Sequence, residues 1–260
     1  PAFNTEGNPD AWLNVYWLLA VLSVLSFLFL FRAKFDEGEE IPSSNLKDDF
    51  LEMLKLISRI LVIVFVLSAF LFVMIEQGIM TWLPTFNDRV LNLPENIAIM
   101  MASILAIALG VGRILAGVLV KKFSWVWVLT FCILGAMATV LFVLPKTVNA
   151  NIGEVNVMAD IPLIGYAFPM VGLFIAPIYP LLNSAVLSAL PKKLHSPMTG
   201  LIIIFSALGG TLGSRFIGIL FKKVGAESAF YYTLIPMGLL LVALFLLKKL
   251  TAQKQPELAG

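Results

Sequence analysis

The chain has 260 residues, 60% of them hydrophobic and only 13% charged, with a formal net charge of +2 and a mean hydropathy of +0.95. Soluble domains carry about a quarter charged residues, so a water-soluble core is excluded, and the near-neutral balance implies no nucleic-acid partner. Cys132, inside an apolar run, is the single cysteine, so no intrachain disulfide can form.

Seven apolar segments follow in order, at roughly 11–32, 57–84, 96–120, 124–145, 161–190, 198–221 and 227–247. Runs approaching 20 residues predict transmembrane helices. Membrane strands would alternate in polarity and be only about 10 residues long, so the expected fold class is all-α integral membrane. The opening residues "PAFNTEGNPD" lack an initiator Met and a basic region, and do not read as a signal peptide. Between the first two helices, "RAKFDEGEEIPSSNLKDDF" is the only long charged stretch and reads as a solvated linker over 34–54. Residues 1–33 precede it and the six-helix region 55–260 follows. The other connections are short, apart from the polar loop "KTVNANIGEVNVMAD".

If the linker is cytoplasmic and the helices alternate, one side holds Arg32, Lys34, Lys47, Lys55, Arg59, Lys121, Lys122, Lys192, Lys193, Lys248, Lys249 and Lys254. The other side holds Arg89, Lys146, Lys222 and Lys223. The excess of basic residues predicts a cytoplasmic linker and C-terminus in a multi-pass protein of the plasma (inner) membrane. Lys222 and Lys223 fall on the sparse side, and they belong to a repeat. "GVLVKKFS" at 117–124 ends the second helix after the linker; "GILFKKVG" at 218–225 ends the fifth. Three helices separate the copies, an odd number, so the second unit is inserted upside down. Two inverted three-helix repeats are the pattern of secondary transporters.

At this point the chain resembles the C-terminal half of a major facilitator superfamily transporter, preceded by the last helix of the N-terminal half. The resemblance implies that 1–33 is the end of an external loop and the sixth of twelve transmembrane helices, and that 34–54 is the central cytoplasmic loop. It implies that 55–260 is the C-terminal six-helix domain, whose partner is the missing N-terminal half. Within that superfamily, "EQGIMTW", "GVGRILAGVLVKKF", "APIYPLLNSAVLSALP" and "ALGGTLGSRFIGILFKKVG" resemble the seventh, eighth, tenth and eleventh helices of the fucose-permease-like sugar–proton symporters. Two positions depart from that group. Lys121 and Lys122 stand where an acidic residue is usual, and Arg215 where small or proline residues are common. The carboxylates that carry protons in fucose permease belong to the N-terminal half.

No metal-ligand cluster, P-loop or G-x-S-x-G elbow is present, and the lone His195 lies in the loop "PKKLHSPM". The expectation is a protein that is not an enzyme and uses no cofactor or metal. Charges inside apolar helices are costly and usually face a cavity or a partner. They are Glu76, Arg113 and Arg215. Arg113, near the cytoplasmic end of its helix, either snorkels or gates. Glu76 lies about 25 Å along the axis from Arg59, in the outer half of the membrane. On depth alone Arg215 is its expected partner and Arg113 a poor one; otherwise Glu76 faces a cavity with Gln77 and Trp82. The segment 161–190 contains Pro162, Pro169, Pro177 and Pro180, which break helical hydrogen bonding. It is the best candidate to line a solute path, with Tyr166, Tyr179 and Asn183 as polar handles. Tyr179 and Asn183 share a face and serve either solute binding or helix–helix contact.

The functional expectation is secondary active transport of a small polar solute by alternating access, with a sugar and protons implied by the resemblance. The partners would be the solute, a coupling ion and the lipid bilayer. The competing readings are a major-facilitator transporter of a non-sugar solute and a stand-alone polytopic sensor or assembly protein.

Overall fold

The computed structural model describes residues 13–33, 53–150 and 152–254. The expected linker lies almost wholly outside them, as do the first twelve residues. The chain divides into two compact units, 1–43 and 44–260. The first contains α1 (Leu13–Arg32), a single apolar helix of mean hydropathy 2.2.

The second unit contains α2 (Ile60–Arg89), α3 (Glu95–Leu119), α4 (Trp125–Val148), α5 (Leu163–Ser188), α6 (His195–Lys223) and α7 (Ala226–Ala252). With α1, these make seven helices long and apolar enough to cross a bilayer among the described residues. The protein is a multi-pass, all-helical membrane protein. Short connections make successive helices antiparallel. We call the end where α2 begins the near end and the end where it finishes the far end.

Proline explains most departures from regular helix. The sequence expectation ended the second segment at 84, but α2 passes through Pro84 and runs to Arg89. A proline costs one intrahelical hydrogen bond, which a spanning helix tolerates where packing covers the freed carbonyl. In α4 a π-helical stretch, Thr139–Val143, ends two residues before Pro145. The wider turn accommodates a residue that has no N–H to donate. The proline-rich α5 is broken, as expected, into Leu163–Ala167, Val171–Ile175 and Ile178–Ser188.

The inverted repeat is visible in the packing. The first helix of each triplet, α2 or α5, lies against the second and third helices of the other: α2 against α6 and α7, α5 against α3 and α4. The third helices, α4 and α7, also meet, as do α2 and α5. Exchanging the triplets maps these contacts onto themselves. Aligning the two basic motifs also places Gly112 of α3 on Gly213 of α6, and these glycines make the same contact. A Cβ on Gly112 would lie 2.5 Å from Leu173 O of α5, and one on Gly213 would lie 2.6 Å from Met74 Cα of α2. Only a residue without a side chain lets these backbones approach so closely. The second motif ends at Gly225, whose φ of +87° makes the turn into α7.

The core is a continuous apolar cluster. Phe86, Phe168, Phe221 and Phe230 interlock at the far end with ring centroids 5.2–5.6 Å apart. Such tilted and edge-on pairs contribute beyond their buried area.

Candidate functional site

The charges within the helices decide the electrostatics. Glu76 on α2 is mostly buried, with its side chain 13% exposed, and its Oε1 lies 3.8 Å from Arg113 Nη2 on α3. This corrects the expected pairing with Arg215. Counting residues along the axis set Arg113 too far from Glu76, but side chains lean toward the N-terminus of their own helix. In antiparallel α2 and α3, Glu76 therefore leans to the near end and Arg113 to the far end. The two converge, and the long arginine stem spans the rest. At 3.8 Å the contact is a charge pair and not a short hydrogen bond.

Among the described residues that is the only ion pair, so Arg215 has no carboxylate partner there. It lines a far-end cavity of about 520 Å³ together with Trp82, Thr211, Ser214, Ile219 and Lys222. Trp82 Nε1 donates to Ser214 O at 2.7 Å, and its ring meets Phe221 at 5.0 Å. Gln77 lies five residues earlier on α2, beside Gly210 of α6: a Cβ at Gly210 would sit 3.2 Å from Gln77 Cγ.

The handles of the broken helix do not gather in one place. The Tyr179 hydroxyl is 3.1 Å from Ser206 Oγ of α6, and its ring stacks on Phe72 of α2 with centroids 5.6 Å apart. It thus ties three helices together, with one ring face already covered. Asn183, one turn later, has a buried Oδ1 without a hydrogen-bond partner. Tyr166 lies toward the far end and donates its hydroxyl proton to Met158 O in the connection before α5. It is separated from Tyr179 by two breaks in the helix and holds that connection in place.

Two features escaped the sequence reading. Ser206 is the hydroxyl partner of Tyr179, an ordinary serine with no motif around it. A near-end cavity of about 590 Å³ is lined by Ser124, Trp125, Ser184, Ser188, Lys248 and Thr251, among others. The spacing of Ser184 and Ser188, one turn apart on α5, was the signal that could have found it. His195 is half-buried, with Nε2 3.0 Å from Leu190 O, and serves the local turn. No group of three or more metal-ligating residues occurs among the described residues.

Comparison with known proteins agrees with this architecture. The family model described as "Major Facilitator Superfamily" matches residues 3–171. No curated protein matches the sequence. Among solved structures, the fold is similar to a variant of the E. coli fucose:proton symporter FucP, with TM-score 0.69, and to FucP in the outward conformation, with TM-score 0.70. Identity is 17% in both cases, and the match covers 91% of this chain and 55% of those chains. The chain therefore spans about half the length of the structures it resembles.

Proposed function

The chain belongs to the Major Facilitator Superfamily, and on that premise we propose that it is the C-terminal half of a secondary active transporter, preceded by the last helix of the N-terminal half. Residues 34–54 then form the central cytoplasmic loop, the near end is cytoplasmic and the protein resides in the plasma (inner) membrane. The observation that carries this reading is the pseudo-symmetric packing of α2–α4 against α5–α7. Inverted repeats supply the two alternative arrangements that alternating access requires.

The proposed solute is small and polar. Likeness in fold to FucP, described as a fucose:proton symporter, favours a sugar moved with protons. Glu76 is the carboxylate in the spans that suits coupling: protonating it removes the charge that faces Arg113 and frees the guanidinium to move. Gln77 and Trp82, which meet α6 at Gly210 and Ser214, supply an amide and an aromatic surface, and Asn183 an unspent carbonyl. Tyr179, with its hydroxyl and one ring face engaged, holds α5 to α2 and α6 while the path opens.

The test is counterflow exchange of radiolabelled L-fucose and related sugars by the full-length protein in proteoliposomes. Saturable exchange is expected from the full-length protein and none from residues 1–260 alone, because the path lies between two halves. Exchange by the 260-residue chain alone would overturn the half-transporter reading.

A further inference from the structure

The far-end cavity has an unusual charge balance. Arg215 and Lys222 are two turns apart on one side of α6, and both line it. Its other polar groups are the hydroxyls of Ser214 and of Thr211, which donates to Ala207 O at 2.9 Å and is left as an acceptor, and no carboxylate contributes to its wall. Glu76 faces Arg113 instead. Asp88 and Glu227, at the far ends of α2 and α7, make no ion pair with Arg215 or Lys222.

Arg215 is not at the end of its helix. It lies eight positions before Lys223, the last residue of α6, which places it about 12 Å inside the helix. A guanidinium at that depth is costly unless it faces water, a protein carboxylate or an anionic ligand. The open groove of about 520 Å³ beside it leaves room for the third. Trp82 completes the wall. Its N–H is already spent on Ser214 O, so the indole contributes apolar surface alone.

From these relations we propose that the cavity binds the anionic end of the solute, and that the solute is a small hydroxylated carboxylate, a sugar acid. Its carboxylate sits between Arg215 and Lys222, its hydroxyls meet Thr211 and Ser214, and its C–H face rests on Trp82. A fork of guanidinium donors fits a planar carboxylate, whereas a neutral sugar would leave both cations uncompensated. This inference rests on the transporter reading and narrows its substrate class.

The test uses the full-length protein, with binding of D-glucuronate, D-gluconate and neutral D-galactose measured calorimetrically in detergent and uptake measured in proteoliposomes. At least one acid is expected to bind about tenfold more tightly than galactose. Arg215→Gln should weaken that acid about tenfold and leave galactose unchanged. Arg215→Lys, with the charge kept, should recover part of the loss, and Lys222→Gln at the helix end should weaken the acid on its own. Thermal midpoints of all variants separate misfolding from loss of binding. Equal affinity for acids and galactose, no binding of either acid, or equal losses for both classes in Arg215→Gln would overturn the subsite. Uptake of galactose without uptake of the acids also overturns it while leaving the transporter reading intact. Tight acid binding without uptake of any solute supports the subsite and counts against transport.

Discussion

Arg113 of α3 reaches Glu76 of α2 across the second and third helices of the chain, Nη2 to Oε1 at 3.8 Å. Arg113 is 58% exposed, so protein does not enclose the pair; with that side open to the proposed aqueous path, its coupling energy should be about 1 kcal/mol, near the top of the range for exposed pairs. A double-mutant cycle of Glu76→Gln and Arg113→Gln, read by thermal unfolding, should show that coupling, whereas Glu76→Gln with Arg215→Gln should be additive. In uptake assays the exchanged pair Glu76→Arg with Arg113→Glu should recover activity that either single reversal loses. Coupling of Glu76 to Arg215 in place of Arg113 would contradict the geometry.

Gly112 and Gly213 hold the repeats together by absence of bulk. In the purified chain, Gly112→Ala should lower stability by about 1–3 kcal/mol, because its Cβ would lie 2.5 Å from Leu173 O and 2.9 Å from Leu173 Cα. Gly213→Ala should behave alike against Met74. Gly110→Ala and Gly117→Ala, on the same helix as Gly112 with nothing within 4 Å of the added methyl, should shift stability by no more than about 0.5 kcal/mol. Thermal aggregation midpoints of the four variants make the comparison.

Tyr179 should report on packing before it reports on solute. Tyr179→Phe removes only the 3.1 Å contact with Ser206 and should cost about 1 kcal/mol. Tyr179→Ala also removes the stack on Phe72 and should cost about 3–5 kcal/mol. If Tyr179→Ala keeps wild-type stability and loses only solute affinity, the residue is a binding group and the packing role given to it fails.

The far-end connection contains a titrating clasp. The Asp160 carboxylate accepts from the backbone N–H groups of Asn156 and Val157, each at 3.0 Å. These bonds hold its pKa below the ordinary carboxylate value of 3.8. A carboxyl group depressed on folding adds order that is fully present above its unfolded pKa and is lost as pH falls through the folded one. Hydrogen-exchange protection of the Asn156 and Val157 amides should be constant from neutral pH down to about 5 and collapse in stronger acid. Asp160→Asn should remove that pH dependence.

Orientation is open to direct labelling. With Cys132→Ala as background, a cysteine at Asn149 should react with an impermeant thiol reagent added to intact cells, and one at Ser44 should react only after lysis. The reverse pattern would place the loop before α5 in the cytoplasm.

The seven helices were legible because each apolar run is long and bounded by polar residues. The break in α5 was legible because proline's missing N–H acts locally. The inverted repeat showed in its paired lysines, and the two glycines at its heart confirm it. What sequence could not give was lateral. The partner of Glu76 depended on the lean of two side chains on antiparallel helices, and distance along an axis ignores that lean. Ser206 and the wall joining Trp82 to Arg215 depended on which faces of α2, α5 and α6 meet, a property of packing. The π turn in α4 before Pro145 was missed because one proline near a helix end does not dictate whether the helix widens, kinks or stops.

The most direct test of the central claim is concentrative uptake. Full-length protein in proteoliposomes is given an inward proton gradient, and accumulation of radiolabelled solute is followed with and without a protonophore, using the neutral sugars and sugar acids named above. The account predicts accumulation above the external concentration, abolished by the protonophore, with Glu76→Gln still exchanging solute but no longer accumulating it. Absence of accumulation and of exchange for every solute, from protein shown to be folded by its thermal midpoint, would contradict it.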